Sequence, residues 1–163
     1  MAFVVENGTG SPDANSYVST AEADSFHADR GNASWTGSDT VKQAALIKAT
    51  DYLEQTYGMR WMGVPLNDVQ ALGWPRTTQD GIPRALKQAA CILALEAITG
   101  TELNPTQGRA IKRDKTDVLE TEYMDNAAPG DQRPAIDGLL AGAGLITGSG
   151  RYGMPSNGRV VRV

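Results

Sequence analysis

Few residues in this chain have the types and spacing that chemistry demands. His27 is the only histidine, so a site needing two histidines is excluded. It lies between Asp24 and Asp29 on a polar stretch, where a solvated side chain is the plain expectation. Cys91 is the only cysteine, which excludes an intramolecular disulfide and any multi-cysteine metal site. Within an apolar run it reads as a small buried hydrophobe. Serines without a matching base are not nucleophiles. Glu120 and Glu122 share one side of a strand-like alternation, and a solvated strand face explains them better than a catalytic carboxylate pair. Gly8-Thr-Gly10 and Gly148-Ser-Gly150 look like fragments of phosphate loops. Neither carries the P-loop lysine or lies between a strand and a helix. The expectation is a protein that is not an enzyme and has neither metal site nor cofactor.

Binding chemistry has more candidates. Trp61 and Trp74, with Arg60, Arg76 and Arg84 nearby, have the makeup of a stacking platform for bases with phosphate contacts at its rim. The plainer reading is that both indoles are structural anchors for the loop that carries them. Arg109, Lys112, Arg113 and Lys115 form a basic arm suited to a nucleic-acid backbone or an acidic partner, with a solvated hairpin as the equally plain reading. The chain ends Gly158-Arg159-Val160-Val161-Arg162-Val163, preceded by Arg151 and Tyr152 in a glycine-rich stretch. Such a segment is too polar and flexible to fold alone. Its mixed arginines and valines suit addition as a strand to a neighbouring chain.

These groups must be positioned by a mainly α body. The stretch Pro83–Thr99, closed by Gly100, repeats Leu86, Ala89, Ala90, Leu93 and Ala97 at helical spacing. It is apolar almost all round after Ala89, so it predicts the central helix of a small bundle, with Leu86 and Leu93 as anchors. Ser19 and Glu22 form a capping box for a helix running to about Arg30 and stopping at Gly31. Ser38 or Asp39 caps a second helix to Tyr57, ending at Gly58. Its buried stripe is Ala45, Leu46, Ala49, Tyr52, Leu53 and Tyr57, while Lys48, Asp51, Glu54 and Gln55 face water. Asn67 or Asp68 caps a mini-helix ending near Leu72. Residues 2–6 read as an edge strand, and Asn7 to Asn15 as turns. A β-hairpin is expected over about 110–124. Pro134 starts a last short helix with Ile136, Leu139 and Leu140 on one face. Residues 1–141 make the folded domain and 142–163 a flexible tail.

The whole chain bounds its class. Its 163 residues suit one domain. A formal net charge of -4 gives no general affinity for nucleic acid. There is no signal-peptide pattern and no run long enough for a membrane span, so a cytosolic protein, or one assembled there, is expected.

The order of several segments resembles one known group. These are Ala14 to Asp24 (ANSYVSTAEAD), Ala44 to Leu53 (AALIKATDYL), Arg60-Trp61, Gln70 to Arg76 (QALGWPR), Ile82-Pro83 with the Ala-rich helix, and Ile111 to Lys115 leading to Val118–Tyr123. In this order they resemble the small head–tail connector (adaptor) proteins of tailed phages, a group also labelled DnaT-like single-stranded DNA-binding proteins. The likeness extends to about Leu140. It implies a structural virion protein whose copies close into a ring, usually of twelve, below the portal. Such a ring extends the channel for genomic double-stranded DNA and meets the tail or the next connector, and each subunit's tail docks on the portal. The virion's head–tail interface would be its place, after assembly in the bacterial cytoplasm. A single-stranded DNA-binding module is the alternative.

Overall fold

The computed structural model describes residues 2–103 and 133–147, together with the backbone pairing of 113–116 with 119–122. Among these residues the chain is mainly α, with four helices: α1 (Thr20–Ala28), α2 (Asp39–Tyr57), α3 (Arg84–Ile98) and α4 (Pro134–Gly142). A single 3-10 turn, Gly58–Arg60, extends α2.

The capping box opens α1 as its sequence predicts: the Glu22 N–H donates to Ser19 Oγ at 3.2 Å, and the Ser19 N–H to Glu22 Oε2 at 2.9 Å. The helix ends at Ala28, two residues before the expected Arg30. His27 is not solvated. It is 1 % exposed, stacked on Trp35 with ring centroids 4.4 Å apart, and its Nδ1 accepts from Asn32 Nδ2 at 3.0 Å. Ala23 and His27 lie four residues apart on the inward face, and an i, i+4 pair shares one side of a helix. A histidine can therefore be core when its helix is short and its neighbours are small. Burial depresses its pKa, with Arg30 and Lys42 adding to the effect and Asp24 opposing it.

Helix α2 carries its predicted stripe inward. Gly58 is right-handed (φ -50°, ψ -42°) and continues into the 3-10 turn, so it does not stop the helix as expected. Helix α3 starts one residue later than predicted. Pro83 is its N-cap, with extended ψ of 140°, because a proline there needs no hydrogen bond and only the following N–H groups begin the ladder. The other end matches expectation. Gly100 sits at φ +88°, with Gly100 N–H donating to the Ala97 carbonyl and Thr101 N–H to that of Glu96; these two bonds are the Schellman closure. Leu86, Ala89, Ala90, Leu93 and Ala94 of α3 are fully enclosed. Helix α3 packs on α2, where Ala45 and Ala49 are likewise buried, and the alanines of both helices favour a close approach.

Helix α4 closes the core through Ile136 and Leu140. Its start is fixed by Arg133, which pairs with Glu96 at 2.9 Å and donates to the Leu103 carbonyl at 3.1 Å. Leu145 and Ile146 are buried, so the folded body extends past 142, where the tail was expected to begin. The predicted edge strand at 2–6 is reduced to a parallel bridge between Val5 and Ser16, after which the Glu6 carboxylate holds the following turn. In the hairpin region, β1 (Arg113–Thr116) pairs antiparallel with β2 (Leu119–Glu122). The other residues of the expected hairpin lie outside the described ones.

Truncating Leu93 to Ala should cost about 3 kcal/mol, the usual loss for a fully enclosed leucine, read as a lower urea midpoint with unchanged slope. His27 gives a signed pH dependence. The folded chain resists the proton that the unfolded chain takes near pH 6.5. Stability should therefore be complete above that pH and fall as pH drops through it towards the lowered folded pKa. Urea titrations between pH 7.5 and 5 should show this slope, and a His27→Gln variant should lack it.

Candidate assembly site

The sequence predicts a mini-helix flanked by Trp61 and Trp74 between α2 and α3. No helix forms at 67–72. Asn67 instead closes an Asx-type turn, its Oδ1 accepting from the Val69 N–H at 3.1 Å, while Gln70 Oε1 accepts from the Asn67 N–H at 3.1 Å. Side-chain oxygens so placed compete with the helical ladder. Leu66 and Val69 are exposed, so no apolar face would reward a helix here.

The loop is held from below by one acidic side chain. Glu54, expected to face water, points into the body. Its Oε1 accepts from the Tyr17 hydroxyl and its Oε2 from the Gly73 N–H at 2.9 Å. The Tyr17 hydroxyl in turn accepts from the Trp74 N–H at 3.1 Å. The buried Trp61 N–H also faces this carboxylate, outside ordinary hydrogen-bond geometry. Burial raises the Glu54 pKa more than these donors lower it, and Tyr17 is pushed up by burial and by the nearby carboxylate. A Cβ on Gly73 would stand 2.8 Å from Glu54 Oε2 and 2.9 Å from Trp61 Cδ1, so only glycine allows this approach.

Trp74 is fully buried and Trp61 is 5 % exposed. Their rings meet edge to face at 6.1 Å, a favourable aromatic geometry. Neither presents a face on which a base could stack. Two of the neighbouring arginines are also engaged. Arg76 staples the loop by donating from Nε to the Met62 carbonyl at 2.9 Å, from Nη1 to Gly73 O at 3.1 Å, and from Nη2 to Gly63 O. Arg60 donates to Thr147 O at 3.3 Å and pairs with Asp137 at 3.4 Å. Arg84 is exposed at the start of α3.

A second acid, Glu6, went unnoticed in the sequence. It is 1 % exposed and accepts from the N–H groups of Gly8, Gly10 and Ser11 at 2.8–2.9 Å. This ties the 7–15 turn into a compact wall. Asn67 donates to the carbonyls of Thr9 and Gly10, and Ala71 N–H to Ser11 O, so the wall buttresses the loop. The signal was present only as an acid placed just before a glycine-rich turn.

With its backbone pinned, the loop turns apolar side chains outward. Met59 is 100 % exposed, Val69 69 %, Val64 60 %, Leu66 49 % and Met62 39 %. Single exposed hydrophobes are ordinary, but five fall within residues 59–69, an apolar strip of sequence that makes this loop the candidate interaction surface. On its edge, Thr147 N–H donates to Arg60 O and Met62 N–H to Leu145 O, with Trp61 bridged antiparallel to Ile146. Of the other candidate residues, Leu86 and Leu93 lie in the core, away from this strip's outer surface. Arg113 is registered opposite Glu122 and Lys115 opposite Glu120. Arg109, Lys112, Arg151, Tyr152 and Arg159 to Val163 lie outside the described residues.

Glu54→Ala should destabilise the fold by about 2 kcal/mol, since it strands the Gly73 N–H and the Tyr17 hydroxyl. The pH trend has a definite sign. With a raised folded pKa, the Glu54 contribution is complete below the unfolded carboxylate pKa and declines as pH rises through the folded value. The stability of the native chain relative to a Glu54→Gln variant should therefore fall as pH rises above the ordinary carboxylate value near 4.5, as measured by urea unfolding.

No curated protein and no solved structure matches the chain. A family model described as "Putative DnaT-like ssDNA binding protein" matches residues 1–163. With that match spanning its full length, the chain belongs to the DnaT-like ssDNA-binding protein family.

Proposed function

We propose that this chain is a structural assembly subunit of the head–tail connector kind that its segment order resembles. Copies close into a ring beneath a portal, extend the channel for double-stranded DNA, and meet the tail or a further connector on the other side. Residues Arg151, Tyr152 and Arg159 to Val163 carry the portal contact. A closed ring needs two different faces on each subunit. The observation that supports this reading is the pinned loop with its outward strip of Met59, Met62, Val64, Leu66 and Val69. Methionine and aliphatic side chains on a fixed backbone suit a protein partner, whose interface core is depleted in charge.

Single-stranded DNA binding is the second reading, and the family description favours it directly. It needs a surface other than Trp61 and Trp74, whose faces are covered. The basic positions Arg109, Lys112, Arg113 and Lys115 are the ones it would use.

Two measurements separate the readings. Negative-stain images of the full chain mixed with portal should show rings, and deleting Gly150 to Val163 should abolish attachment while leaving the helical circular dichroism intact. Anisotropy with a labelled single-stranded oligonucleotide should show no saturable binding. Binding that weakens steeply with salt, and is lost when the four basic residues are changed, would instead establish the second reading.

A further inference from the structure

We propose that residues 2–6 present an open strand edge, on which an extended segment of a protein partner adds as a further strand with a large apolar side chain opposite Val4. This surface is separate from the 59–69 strip, and the inference does not depend on the connector reading.

The stretch is bonded along one edge alone. The Val4 N–H donates to Asn15 Oδ1 at 2.9 Å, and the Val4 carbonyl accepts from the N–H groups of Asn15 and Ser16 at 2.9 and 3.2 Å. The Glu6 N–H donates to Ser16 O at 2.8 Å, and Asn15 Nδ2 to the Ala2 carbonyl at 2.7 Å. Residues 2, 4 and 6 therefore turn their backbone groups to the 15–16 segment. In extended backbone the N–H and C=O of one residue point to the same edge, and those of the next residue to the opposite edge. The backbone groups of Phe3 and Val5 accordingly face away from it, and among the described residues none of them has a hydrogen-bond partner.

Native chains blunt such an edge with a lysine, a proline or a bulge. Ala2-Phe3-Val4-Val5 contains neither lysine nor proline, and the Glu6 carboxylate is turned back onto Gly8, Gly10 and Ser11. Phenylalanine and valine are strong strand formers, and Phe3, Val4 and Val5 are only half-buried. Donors and acceptors at strand spacing match the backbone of another extended segment, and side chains then select which one. Ala2 and Val4 share one side of the stretch and line a cleft of about 450 Å³ with Pro12, Ala14 and Ala71. A residue opposite Val4 on the added strand lies one strand spacing from this cleft, a diagonal that an aromatic side chain spans. Self-pairing of two copies fits less well. An edge of three residues buries far less than the roughly 1,200 Å² of a stable pair, whereas a segment whose parent protein is held nearby needs no such area.

The test uses the isotope-labelled full chain and a capped synthetic peptide, Thr-Val-Thr-Trp-Thr-Val-Lys. Saturable amide shifts centred on residues 2–6 are expected, with several-fold slower hydrogen exchange at Phe3 and Val5. Two N-methylated peptides, each blocking one alternate set of amides, isolate the backbone contribution. Only one set can face the edge, so one peptide should lose affinity about tenfold, the cost of one or two hydrogen bonds, and the other should keep it. Replacing the peptide's Trp by Ala should weaken binding several-fold. Val5→Pro removes an outward N–H and spares every bond to 15 and 16, so it too should weaken binding while helical circular dichroism stays unchanged. Absence of saturation at millimolar peptide, shifts centred elsewhere, equal affinity of the two methylated peptides, or indifference to the Trp or Val5→Pro change in a folded chain would overturn the proposal. Protection of Phe3 and Val5 that grows with protein concentration in the absence of peptide would place a second copy on the edge, and would overturn it too.

Discussion

The carboxylate of Glu54 is the contact on which the molecule's organisation depends. It sits on the inner side of α2, takes the Gly73 N–H and the Tyr17 hydroxyl, and through Tyr17 reaches the Trp74 backbone. Three segments far apart in sequence thus converge on one acid. A half-buried carboxylate is costly unless its hydrogen bonds are made, so the geometry around it is specified. Gly73 has no side chain because the Trp61 edge and the Glu54 oxygen already occupy that space.

From this contact follows the contrast between the two faces of the 59–80 loop. Inward, Trp61 and Trp74 fill the core beside Tyr57. Outward, the methionines and aliphatic residues of 59–69 remain uncovered. Arg76, which a reading of composition assigns to phosphate, spends its donors on three backbone carbonyls. The same residues that suggest nucleic-acid stacking are therefore structural in this fold, while the residues that suggest ordinary loop filling form the exposed surface.

The helical parts were legible because their information is local. Period, caps and closing glycines specified α1, α2 and α3 to within a residue or two, since each rests on neighbours a turn away. The errors share a cause. His27 and Glu6 are enclosed by the fold and Glu54 is half-buried, whereas composition alone places such residues outside. The loop at 67–72 failed as a helix because Asn67 and Gln70 bond to nearby backbone, and side-chain geometry of that kind is not a periodic signal. Leu145 and Ile146 were lost to the tail because two apolar residues among glycines carry little pattern.

By itself the sequence determined a mainly α body with a central small-residue helix, since amphipathic spacing and capping act over a few residues. Only the tertiary structure decided which side of each tryptophan is covered, which acids are buried and where the uncovered apolar strip lies. Those outcomes depend on segments dozens of residues apart meeting at one place, and no stretch of the chain contains that meeting until it has folded.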